Sequence, residues 1–173
     1  MWIRIIGGLL VFFSCTALGT YFSLRESFRI NDLTELKKAL LLLKGEIEFA
    51  RSPLHEAMST VALRLHPRLA VFFNRIRDNL LAKSGIEAKE AWGEAVNSHL
   101  TGLHLNSEDI ANILRLGETL GYLSARTQAE GLEMAVLYID AQVDKLRETE
   151  GKSRRLCRNA GIMFGMLIII VLI

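Results

Sequence analysis

Both ends of this chain are uncharged apolar runs with no polar face to turn toward water. Arg4 and Arg25 bracket twenty residues without a charge, "IIGGLLVFFSCTALGTYFSL". A helix rises about 1.5 Å per residue, so this run matches the roughly 30 Å of a bilayer's hydrocarbon. The last fourteen residues, "AGIMFGMLIIIVLI", are also uncharged. They reach only about 21 Å as a helix, and extension back through Leu156 and Cys157, with Arg158 stretching to the headgroups, closes most of the gap. The expectation is a transmembrane helix over 1–25, a second over 156–173, and a body at 26–155 between them. Competing readings are weaker. A cleaved signal peptide ending near "ALG" at 17–19 has only Arg4 in its n-region and an overlong apolar core. A lipoprotein box at Cys15 is opposed by the bulky "VFFS" around it. A C-terminal core helix with no polar face is hard to bury in a small domain.

Lysines and arginines set the orientation. Arg25, Arg29, Lys37 and Lys38 follow the first apolar run, and Lys145, Arg147, Lys152, Arg154, Arg155 and Arg158 precede the second, whereas only Arg4 lies beyond them. The positive-inside rule then puts the body in the cytoplasm and both termini outside. The basic residues cluster at the membrane edges, where anionic lipid explains them, and a net charge of +2 does not imply nucleic acid.

The body reads as all-α. Leu33, Leu36, Leu40, Leu43, Ile47 and Ala50 form one seam with spacings of three and four, and Ala125, Ala129, Leu132, Val136, Ile139, Val143 and Leu146 form another. Packing within one chain is the simpler reading of these seams. An intermolecular coiled coil, and with it a homo-oligomer, stays open, although each seam lasts only about three heptads. Asp32 with Glu35 fits a capping box ahead of the first seam. Ser52–Pro53 reads as N-cap and first helical residue of a helix through Leu54, Met58, Val61 and Leu65. Pro67 opens another, with Leu69, Phe72, Phe73, Ile76 and Leu80 inward and Gly85 as its stop. Residues 86–100 place Trp92 and Val96 on one apolar face, and Asn106 or Ser107 caps a helix through Ile110, Ile113 and Leu114. Nothing alternates with period two, and the chain has only two prolines, so the expectation is a bundle of about six helices with short loops.

The same residues argue against chemistry. His55, His66, His99 and His104 include no pair at the i, i+4 spacing of a helical zinc site, and Cys15 and Cys157 lie near opposite ends. No Walker loop, GxSxG or GxGxxG occurs. Glu46 and Glu48 flank Ile47 and point to different sides of a helix, so they make no carboxylate pair. The runs at the two ends hold no Asp, Glu, Lys, Arg or His inside them. The chain is expected to be no enzyme and to hold neither metal nor cofactor.

Two short motifs carry a resemblance. "LGETLGYL" at 116–123 resembles the "GE-x-x-G-x-L" signature of the platform (F) proteins of type II secretion and type IV pilus machines, through Gly117, Glu118, Gly121 and Leu123. "LLLLKGEIEFARSPLHEA" at 40–57 is similar to that family's "LL…G…PL-x-EA" helix and turn, through Leu42, Leu43, Pro53, Leu54, Glu56 and Ala57. Platform proteins carry such a six-helix cytoplasmic unit twice; this chain has it once. That arrangement resembles the smaller stage III sporulation AB family of endospore-forming bacteria. Its "LKGEI-x-[YF]-x-x-x-PL", "AW" and "LG-x-x-LG" are matched here by "LKGEIEF…SPL" with Glu46, by Ala91–Trp92 and by "LGETLG".

The resemblance implies a non-enzymatic scaffold in the cell membrane, on the mother-cell side in the outer forespore membrane. It would belong to a channel-like complex joining mother cell and forespore. The implied partners are a secretion-type ATPase of the same operon, other membrane proteins of that complex and the lipid bilayer. The alternative is a membrane-bound sensor or regulatory adaptor that takes a soluble ligand through its bundle. Glycine in a helix interior costs about 1 kcal/mol relative to alanine, so Gly117 and Gly121 are expected to admit close approach by a neighbour. Gly121 is also expected to end its helix in a left-handed cap, with Ser124 starting the last helix. Glu118 is expected at a tight corner, accepting backbone N–H groups or touching the ATPase. Gly161 and Gly165 form a GxxxG for packing against other membrane helices.

Overall fold

The computed structural model describes residues 26–82, 87–121 and 124–172, with the backbone alone for 150–172. Six α-helices occur among the described residues, and no strand does. Helix α1 covers residues 26–45 and runs on into a π-helical turn, Glu46–Ala50. Then come α2 (Leu54–Ala62), α3 (Pro67–Ala82), α4 (Ala88–His99), a 3-10 turn (Leu100–Gly102), α5 (Ser107–Leu120) and α6 (Ala125–Leu172). The chain divides into two compact units, Asn31–Val143 and the pair of segments Met1–Ile30 and Asp144–Ile173.

The two seams form much of the core of the 31–143 unit. Leu33, Leu36, Leu40, Leu43 and Ile47 are buried on α1 and its π turn, and Ala129, Leu132, Val136, Ile139 and Val143 on α6. The seams end sooner than their spacing implies, because Ala50 and Ala125 are exposed where the chain leaves the helical register. Between them Met58, Val61, Leu69, Phe72, Phe73, Ile76, Trp92, Val96 and Ile113 are buried as expected. Asn79 is buried where Leu80 was expected, and Leu80 is half-buried. Phe72, Phe73 and Trp92 meet edge to face with ring centroids 5.0–6.4 Å apart, a geometry worth about 0.5–1.5 kcal/mol per pair beyond burial.

Helix starts differ from expectation in two places. Residues 26–45 are helical throughout, so Asp32 lies inside α1 and caps nothing. Its carboxylate instead accepts the backbone N–H of His104 at 2.8 Å and lies 3.0 Å from the His104 Nδ1, tying α1 to the loop before α5. Pro53, not Ser52, is the N-cap of α2: its carbonyl accepts from Glu56 and Ala57, and the Ser52 hydroxyl turns back to Glu46. Helix α5 starts as its sequence dictates. Asn106 Oδ1 accepts the Asp109 N–H at 2.7 Å while Asp109 Oδ2 accepts the Asn106 N–H at 3.0 Å, a complete capping box. The expected stop at Gly85 lies outside the described residues.

Helix α6 is one unbroken piece from Ala125 to Leu172. Among the described residues no helix is long and apolar enough to cross a membrane. The segment expected as the first span, 1–25, lies outside them, and the segment expected as the second, 156–173, is described only as helical backbone to Leu172.

Candidate functional site

The two motifs lie at one end of the 31–143 unit. Lys44, near the end of α1, donates to Glu133 in the early turns of α6 at 2.9 Å. Gly131 of α6 faces Thr119 of α5, and a Cβ on Gly131 would lie 2.8 Å from the Thr119 Cβ. The turn at 46–53 and the α5–α6 corner at 117–125 therefore share the end at which α1 stops and α6 starts. The first turn of α4 joins them through Lys89, whose Nζ lies 3.2 Å from Glu118 Oε1.

Trp92 and Gly117 are the packed heart of this end. Trp92 is fully buried and donates its indole N–H to the Ile113 carbonyl at 2.7 Å, which holds the ring against α5. A Cβ on Gly117 would lie 2.6 Å from Trp92 Cδ1, 3.0 Å from Cγ and 3.2 Å from Cβ. Those atoms sit near the tryptophan backbone and cannot swing aside, so the α4–α5 crossing requires glycine here. The expected close approach at Gly117 is thus present, and its partner is the tryptophan of the "AW" pair.

Gly121 behaves otherwise. Its φ of −81° and ψ of −9° are right-handed, and a Cβ there would meet nothing within 4 Å. It forms neither a left-handed cap nor a close approach, because α5 leaves its last turn without reversing hand. Glu118 also departs from expectation. It is exposed, and among the described residues its ion-pair partner is Lys89, not a backbone N–H. The reason is its position on α5: Leu116, Gly117 and Leu120 take the inward face and turn Glu118 outward. Leu123 lies outside the described residues, and Gly161 and Gly165 lie where only helical backbone is described.

The other motif residues build a turn. The Glu46 carbonyl accepts the N–H groups of Arg51 and Ser52, closing the π turn, and Arg51 is left-handed at φ 50°. Pro53 is exposed and Leu54 half-buried, while Phe49 is 81% exposed. Phe49, Arg51, Pro53, Glu118 and Gly121 are exposed at this end of the unit, and Trp92, Gly117 and Leu120 are buried there.

The carboxylate in the first turn of α5 is buried, which its place in the capping box did not signal. Asp109 is wholly buried; its Oδ2 takes the Asn106 N–H of the cap, and its Oδ1 accepts the Tyr138 hydroxyl at 3.2 Å. Burial, then the Asp109 and Glu108 charges and the bond to Asp109, push the Tyr138 hydroxyl up to about 12, against a weaker opposing bond to Asn112. On the surface, the bond to Glu133 holds the Lys44 ammonium above its ordinary range. Among the described residues no group of three or more His, Cys, Asp or Glu is placed to hold a metal ion.

The chain as a whole is similar to known proteins. A curated relative, stage III sporulation protein AB of Bacillus subtilis (strain 168), is 24% identical over 170 residues, covering 98% of this chain and 99% of its own. A solved structure of a stage III sporulation protein AB superposes with a TM-score of 0.66 at 25% identity, over 72% of this chain and 98% of that one. The family model described as stage III sporulation protein AB matches residues 4–173. A six-helix unit with its two motifs at one end, and a match that runs almost the whole chain, establish that this protein belongs to the stage III sporulation protein AB family.

Proposed function

We propose that this chain is a membrane-anchored, non-enzymatic scaffold of sporulation, which docks a secretion-type ATPase of the mother cell to a channel-like complex in the outer forespore membrane. The observation that carries the reading is the placement of Glu118. Its carboxylate faces solvent and meets an equally exposed lysine, and an exposed ion pair contributes at most about 1 kcal/mol. Folding therefore gives little reason for the acid in this motif, and a contact outside the chain gives a better one. The turn at 46–53 adds an exposed phenylalanine on the same end, the kind of side chain that anchors a protein contact. The apolar run between Arg4 and Arg25 and the one after Arg158 serve as bilayer anchors, with the helical body on the cytoplasmic side. Such a protein transmits position through a rigid bundle and catalyses nothing.

The test is co-purification. Full-length protein extracted in detergent from sporulating cells should bring down the secretion-type ATPase encoded beside it. Protease added to spheroplasts should spare the body, and protease added to inverted vesicles should cut it. Absence of the ATPase, or a body cut only from outside, removes the docking role.

A further inference from the structure

Helices α1 and α6 present charged strips of opposite sign. The two run antiparallel, with their register fixed by Lys37 to Asp140 at 2.5 Å and Lys44 to Glu133 at 2.9 Å. Between these ion pairs two leucines stand in solvent at the same level, Leu41 on α1, 47% exposed, and Leu137 on α6, 55% exposed. Leu41 lies one helical turn from both lysines, and Leu137 one turn from both acids. Each helix thus shows charge, leucine, charge along one edge, cationic on α1 and anionic on α6. Met134, 68% exposed, extends the apolar strip along α6.

We propose that this α1–α6 face is the contact surface between two copies of the chain, related by a twofold axis parallel to the helices. A twofold contact must be self-complementary, and the charges choose between the two ways of making it. An axis perpendicular to the helices lays α1 on α1 and sets lysine against lysine. An axis along them lays α1 of one copy on α6 of the other. Leu41 then faces Leu137 of the second copy, and Lys37 and Lys44 face its Asp140 and Glu133. Each end of the four-leucine patch is closed by four charges of alternating sign, the arrangement that favours one register over others. Because α1 enters and α6 leaves the 31–143 unit at the same end, this axis also keeps the ends of both copies together, as two copies in one bilayer require.

The experiment uses full-length protein in its membrane, with Cys15 and Cys157 replaced by serine. One tagged copy carries Leu41→Cys and a differently tagged copy carries Leu137→Cys. A short thiol crosslinker should join the two tags, whereas copies carrying Leu63→Cys, at an exposed site beyond α2, should show background only. In a cysteine-free pair, Leu41→Lys with Leu137→Lys should abolish co-purification of the two tags. Leu41→Lys with Leu137→Glu should restore it, since each new lysine meets a glutamate of the other copy. Equal crosslinking at Leu63, the same loss in both double variants, or capture of a different protein without a second copy would overturn the proposal.

Discussion

Gly117 and Gly121 share one short motif but have opposite surroundings. Alanine normally improves a helix by about 1 kcal/mol over glycine. At 117 that gain is outweighed, because the new methyl would press on Trp92 Cδ1 and Cγ with no room to yield. Gly117→Ala should lower stability by about 1–3 kcal/mol, the usual cost of overfilling a packed core, read by denaturant titration of helical signal in detergent. Gly121→Ala should raise it by about 0.4–1 kcal/mol, because φ is already −81° and the space is open. Tyr138 gives a prediction with a pH window. Folding raises its pKa, so the stabilisation from the protonated hydroxyl is complete below its ordinary value of 10.0 and is lost as pH climbs through about 12. Tyr138→Phe should remove this alkaline loss in a stability-against-pH series. It should also cost about 1–3 kcal/mol at neutral pH, because the hydroxyl's bond to the Asp109 carboxylate is lost.

At the scale of elements, the turn after α1 holds backbone strain. Arg51 is the one non-glycine residue with positive φ among the described residues, and a left-handed residue with a Cβ carries about 1 kcal/mol of steric cost. Arg51→Gly should therefore stabilise the protein by up to about 1 kcal/mol in the same denaturant assay. If ATPase co-purification falls in that variant, the arginine side chain serves docking at the expense of the fold. The helices themselves were legible because packing imposes a period the sequence cannot avoid: Leu33 to Ile47 and Ala129 to Val143 read as seams and are buried as seams. What was not legible depends on residues distant in sequence. Asp32 with Glu35 looks like a cap until His104 supplies the partner that keeps the acid inside α1. Asp109 looks like an ordinary first-turn acid until Tyr138 closes over it. Gly131 carried no signal beyond its cost in a helix, and its reason is Thr119 on another helix. The motifs drew attention to this end of the unit, but they did not separate the glycine that Trp92 requires from the one that faces water.

Across the whole molecule, the end that carries the motifs divides into a floor that folds and a rim that does not. Trp92, Gly117 and Leu120 lie beneath, and any change there acts through stability. Glu118 belongs to the rim, so it can be changed without disturbing that floor. Glu118→Gln keeps the size of the side chain and removes only its charge, and an exposed site of this kind should shift stability by no more than about 0.5 kcal/mol. Lys89 loses an ion partner but stays in water. Under the docking reading the variant folds, reaches the membrane and loses the ATPase in co-purification, with a matching fall in spore yield. A Lys89→Gln variant separates the two explanations of that loss. If Glu118 matters because it orders Lys89, both variants fail alike. If the carboxylate itself meets the ATPase, Lys89→Gln binds as well as the parent protein or better, since it frees the acid. Intact binding and sporulation in Glu118→Gln leave the acid as a surface charge of this end and move the search for the docking contact to Phe49 and the turn around it.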